Sequence, residues 1–116
     1  MSKPTQSYFE TLNAVHAELA ETYAILNVKQ SELDREVSAI SHEIERMDLD
    51  LEDGYGVATR LQETLRRRRV VKDEHKRVSL LIRGLTQLSV DYRKNEAKSK
   101  RICRELNVTM TIADVM

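Results

Sequence analysis

The chain has 116 residues, a third of them charged and 4% aromatic, with three glycines, one proline, one cysteine and no tryptophan. This composition favours long helices over strands and turns, and no apolar run approaches the roughly 20 residues that span a bilayer. Net charge is zero, but residues up to Asp53 carry twelve acids and four bases, and the rest seven acids and fifteen bases.

An acidic half and a basic half can neutralise each other if the chain folds back on itself. The N-terminal stretch lacks the apolar core of a signal peptide. Cys103 alone forms no disulfide framework, which fits a reducing cytoplasm. The Asn107-Val108-Thr109 sequon is then accidental.

In chain order, the first element expected is a helix over about residues 7–52. Leu12, Leu19, Leu26, Leu33, Ile40 and Met47 recur every seven residues. Phe9, His16, Tyr23, Gln30, Val37, Ile44 and Leu51 form the offset row. Together they make the a/d seam of a coiled coil, in a helix roughly 65 Å long. Ser7 with Glu10 has the form of a capping box.

The strongest break is Asp53-Gly54-Tyr55-Gly56, whose two glycines supply the positive φ that a reversing turn uses. A second helix is expected over about 57–106, with a seam of Val57, Leu61, Thr64, Arg68, Val71, His75, Val78, Ile82 and Leu85. It continues through Leu88, Tyr92, Asn95, Ser99, Ile102 and Leu106. Gly84 interrupts this helix as a bend or a close helix contact. The tail, 107–116, alternates Val108, Met110 and Ile112 with threonines, which reads as an extended docking segment or a frayed end.

Two helices of similar length joined by a short turn form an all-α antiparallel coiled-coil hairpin. A turn centred on Gly54 and Tyr55 sets residue i opposite 109 − i. That register pairs Ile44 with Leu65, Leu26 with Ile82 and Tyr23 with Leu85. Ile25, Val28, Leu80, Leu81, Leu88 and Val90 then form a surplus of apolar surface at one level. Their burial against another copy implies a homo-oligomer, a dimer by preference, in a four-helix arrangement.

The chemistry-bearing residues do not converge. His16, His42 and His75 fall at distant levels, His42 opposite Arg67 and His75 opposite Asp34. No helical metal-ligand spacing and no phosphate loop occur, so no catalytic residue, metal or cofactor is expected. Cys103, near Arg101 and Arg104, reads as a small seam residue rather than a reactive thiol.

The run Leu65–Arg77, LRRRRVVKDEHKR, invites a nucleic-acid reading. On a helix its four arginines advance about 100° each and cannot share one face. Arg68 falls on the seam and can reach first-helix carboxylates such as Glu36 or Glu43, Arg66 and Arg69 flank it and can make similar pairs, and Arg67, Lys72 and Lys76 point outward. The acidic stretch before the glycines holds its carboxylates at a helix C-terminus, the unfavourable end of the dipole. Asp48, Asp50, Asp53 and Tyr55, with Arg67, Lys72 and Lys76, are the candidate partner-binding residues.

Residues 54–74, GYGVATRLQETLRRRRVVKDE, resemble small helical proteins of phages and prophages of Gram-positive, Bacillus-type bacteria. The resemblance implies an accessory protein acting on a host or phage component in the bacterial cytoplasm, and assigns no functional residue. The function expected is therefore a non-enzymatic protein-interaction module that binds a host protein. A nucleic-acid accessory role for the basic second helix and a structural assembly role are the alternatives.

Overall fold

A computed structural model describes residues 4–48 and 50–116. The part of the expected first helix that runs over Leu49 lies outside the described residues. The chain is an all-α helical hairpin of two long helices, α1 (Thr5–Arg46) and α2 (Leu51–Glu105), followed by a single turn, α3 (Ile112–Val115). Among the described residues there is no strand.

The helix ends differ from expectation for local reasons. α1 starts at Thr5, with the Pro4 carbonyl accepting the Ser7 N–H at 3.0 Å. Ser7 therefore lies inside the first turn and is not the cap. α1 ends at Arg46 and α2 begins at Leu51, so residues 53–56 lie inside α2 and are not the break between the long helices. Asp50 Oδ1 accepts the Asp53 N–H at 2.7 Å, which makes Asp50 the N-cap of α2.

Glu52 and Asp53 consequently sit in the first turn of α2. There the positive end of the helix dipole stabilises them, the reverse of the C-terminal placement expected. Both glycines of the DGYG stretch are helical, and no described glycine has positive φ. A glycine in a helix costs only about 1 kcal/mol, which the cap and the acidic first turn offset.

α2 ends on a left-handed residue, Asn107, at φ 54°. The Val108 N–H donates to the Cys103 carbonyl at 2.8 Å and the Asn107 N–H to that of Arg104 at 3.3 Å. This is the Schellman arrangement that stops a helix. The tail contains the turn α3, not an extended docking segment; the Thr111 N–H donates to Asp114 Oδ2 at 2.7 Å.

The chain divides into two compact units. The terminal unit comprises the described residues up to Leu19 with Leu81–Met116, and the central unit is Ala20–Leu80. In each, a stretch of α1 packs antiparallel against a stretch of α2. In the central unit the cross-helix pairs Glu43–Arg60, Asp34–Arg68 and Asn27–His75 have numbers totalling 102 or 103. In the terminal unit Phe9–Tyr92 and His16–Thr86 total 101 or 102.

In each unit residue i therefore faces about 102 − i, not 109 − i, because the chain reverses several residues earlier than the glycines. Ile44 stands at the level of Val57 rather than Leu65, and the other pairs expected from the later turn shift likewise.

The α1 seam follows the heptad. Phe9, Leu33 and Ile40 are buried, and His16, Leu19, Tyr23, Leu26, Gln30, Val37, Ile44 and Met47 are half-buried. Leu51, expected at its end, is 95% exposed because it opens α2 instead. On α2, Val57, Thr64 and Val78 are buried. Thr64 satisfies its hydroxyl on the Arg60 carbonyl at 2.9 Å.

Past Leu85 the α2 seam departs from the expected one. Ser89, Tyr92, Glu96 and Cys103 are half-buried, while Leu88, Ile102 and Leu106 are exposed. Alternating steps of four and three continue unbroken from Val57 through Leu85, Ser89, Tyr92 and Glu96. Helix geometry thus overrides side-chain polarity, and the apolar residues one position earlier stay off the seam.

Candidate interaction surfaces

Polar groups organise the central unit. Arg68 lies on the seam, where its partly buried stem packs and its Nε donates to Asp34 Oδ1 at 2.5 Å. The carboxylate is Asp34 rather than Glu36 or Glu43, as the earlier reversal requires. Glu43 pairs with Arg60.

The His75 ring lies against Tyr23, tilted by 30° with centroids 4.6 Å apart, and its Nε2 lies 2.6 Å from Asn27 Oδ1. The expected partner Asp34 is taken by Arg68. His42 lies 3.7 Å from Glu45 of its own helix, not opposite Arg67. Among the described residues no buried side-chain nitrogen or oxygen lacks a hydrogen bond.

The arginine run divides as helix geometry dictates. Arg68 pairs across the seam and Arg67 pairs with Glu63 one turn back at 2.5 Å. Among the described residues Arg66 and Arg69 have no ion-pair partner. With half-buried Lys72 they line an open groove of about 550 Å³ whose floor is Ala58, Leu61 and Leu65.

The seven candidate partner-binding residues are not brought together. Asp50 is occupied as a cap, Asp48 is exposed before α2 begins, and Tyr55 is 77% exposed in the first turns. Asp53 and Lys76 belong to one helix, and at about 1.5 Å per residue they lie roughly 35 Å apart. Arg67 faces one flank of the seam, and Lys72 the other. Arg66 and Arg69, expected to pair with first-helix acids, line the basic groove instead; Leu65 beside three cations at helical spacing was its signal.

The expected self-association residues are all exposed: Ile25, Val28, Leu80, Leu81, Leu88 and Val90. They do not share one face. Ile25 and Val28 line a shallow groove with Ala24 on the side of α1 away from the seam. Leu81 and Leu88 instead flank the seam of α2.

In the terminal unit Phe9 stacks on Tyr92 at 4.1 Å with 15° between rings. The Arg93 guanidinium lies 5.9 Å from the Phe9 centroid. Tyr92 Oη donates to Gln6 Oε1 at 3.5 Å. Gly84, expected at a bend or close helix contact, has open space where a Cβ would stand. The chain's own packing therefore does not require a glycine there.

Among the described residues no group of three or more His, Cys, Asp or Glu could hold a metal ion. No helix among them is long and apolar enough to cross a membrane. No known protein family, curated protein or solved structure matches the chain.

Proposed function

We propose that the protein is a non-enzymatic protein–protein interaction module that works as a homo-oligomer. The surface carries this reading. Five hydrophobic side chains are buried, whereas twenty large ones are exposed among the described residues. Large apolar side chains left exposed in such excess over buried ones support an interaction surface.

In this reading a protein partner meets the charged central unit. The basic groove of Arg66, Arg69 and Lys72 takes an acidic, amphipathic segment. The resemblance of residues 54–74 to phage-type proteins extends the proposal to a host protein as that partner, in the bacterial cytoplasm. Affinity capture on the immobilised chain tests it. One host protein recovered in stoichiometric amount, and lost with the double variant R66E/R69E, is the expected result. Recovery unchanged by that variant would contradict the groove as its site.

The nucleic-acid reading rests on the same free cations. Against it, Arg60, Arg67, Arg68 and Arg77 are each paired with a carboxylate of this chain. DNA binding at low salt that collapses steeply as salt is added would favour it instead.

A further inference from the structure

The two positions that flank the seam on one side form an edge, one row from α1 and one from α2. In the central unit this edge holds Thr22, Lys29, Glu36 and Glu43 on α1 and Arg60, Arg67 and Glu74 on α2. All but Thr22 are charged. Glu36, Glu43, Arg60 and Arg67 line one groove there, and Glu43 pairs with Arg60. A charged edge of this kind closes a two-helix seam against water and sets its register.

In the terminal unit the same heptad rows hold Tyr8 and Val15 on α1 and Leu81, Leu88, Asn95 and Ile102 on α2. None is charged. Tyr8 is 53% exposed, Val15 41%, Leu81 56% and Leu88 45%. In the register of this unit Val15 and Leu88 share a level. An apolar edge does not close a seam; it leaves the seam to be covered from outside.

We infer that a second copy of this chain packs on this edge of the terminal unit, as an antiparallel, twofold-symmetric four-helix layer. This rests on the proposal that the chain self-associates and assigns the face. Two observations support a second copy as the occupant.

The stripe is self-complementary. Gly84 lies three residues after Leu81 and four before Leu88. A twofold axis beside Gly84 sets Leu81 of one copy against Leu88 of the other, as an isologous contact requires. Finally, the space beside Gly84 is open within the chain, and a glycine at the axis lets two helices approach closely. The feature expected at first to mark a contact inside the hairpin thus marks one between hairpins.

Sedimentation equilibrium of the full chain tests this, with circular dichroism to verify helix content. The wild type is expected at twice the chain mass of 13.4 kDa. L81K and L88K, at exposed positions, are expected to keep their helix content and sediment as monomers. I25K, on the far side of α1, is expected to remain dimeric.

G84L is expected to raise the dimer dissociation constant at least about tenfold while the monomer stays helical. A wild-type monomer would overturn both the self-association and the face. A dimer that survives L81K, L88K and G84L but falls apart with I25K would overturn the face alone.

Discussion

The two units use one heptad scaffold with opposite edges. In the central unit the row beside the seam is charged, and Glu43–Arg60 and Asp34–Arg68 tie the helices in register. In the terminal unit that row is Tyr8, Val15, Leu81 and Leu88, and the cross-helix ties are the Phe9–Tyr92 stack and polar contacts of His16 and Gln6. A coiled-coil seam does not by itself say whether two helices are the finished object; on the proposed dimer, the flanking rows decide it, charged rows ending the packing and apolar rows extending it.

The largest separable effects lie in the seam. Leu33 is 1% exposed and the largest fully buried side chain among the described residues. Leu33→Ala is expected to cost about 2–5 kcal/mol, lowering the midpoint of thermal unfolding equally at low and high protein concentration. Leu88→Lys should behave oppositely. It removes no intrachain core, so its loss of thermal stability should grow with protein concentration, as mass action requires of an assembly contact. Melting curves at two concentrations check both, and equal shifts for L88K at each would erase the distinction.

Next in size is Asp50→Ala. Removing an N-cap costs about 0.5–2 kcal/mol, and denaturant unfolding measures it. This role sharpens any charge-reversal test of the acidic stretch. A change at Asp50 alters α2 itself, whereas Asp48, exposed and outside the helices, isolates the charge.

Smallest is the paired glycine experiment. Gly56 and Gly84 are both helical and both have open space beside the Cα. Gly56→Ala is expected to stabilise the chain by roughly 0.5–1 kcal/mol through helix propensity. Gly84→Ala should give the same gain only below the concentration at which the chain dimerises, and a smaller gain or a loss above it. Identical behaviour of the two variants at all concentrations would argue against a close approach at Gly84.

Much of the fold was legible because heptad spacing is a strong periodic signal. The α1 row from Phe9 to Met47 and the α2 row from Val57 to Leu85 are the rows the structure turns inward, Leu12 at 37% exposure being the loosest. The reversal was misplaced because two glycines in three residues read as a turn. In the structure Asp50, with Glu52 and Asp53 behind it, starts a helix that runs through both glycines. The spacing of Asp50 and Asp53 was the available signal; the cap and the acidic first turn work against a penalty of about 1 kcal/mol for each glycine.

That displacement changed every cross-helix partner, including the carboxylate of Arg68. Beyond Leu85 the expected seam keeps Tyr92 and Cys103 but misplaces the rest, because Leu88, Ile102 and Leu106 are more apolar than Ser89 and Glu96. A continuous helix keeps its phase regardless. For the same reason the proposed interaction surface was legible as a list of surplus apolar residues but not as a face. Leu81 and Leu88 separate from Ile25 and Val28 only once the phase of each helix is known.

Backbone hydrogen exchange on the wild-type chain at two protein concentrations tests the contrast between the units most directly. The expected result is that amides around Tyr8–Val15 and Leu81–Leu88 slow markedly as concentration rises, while those of Ala20–Leu80 change little. Protection that is independent of concentration throughout, or that grows first in Ala20–Leu80, would contradict the assignment of the terminal edge as the face where two copies meet.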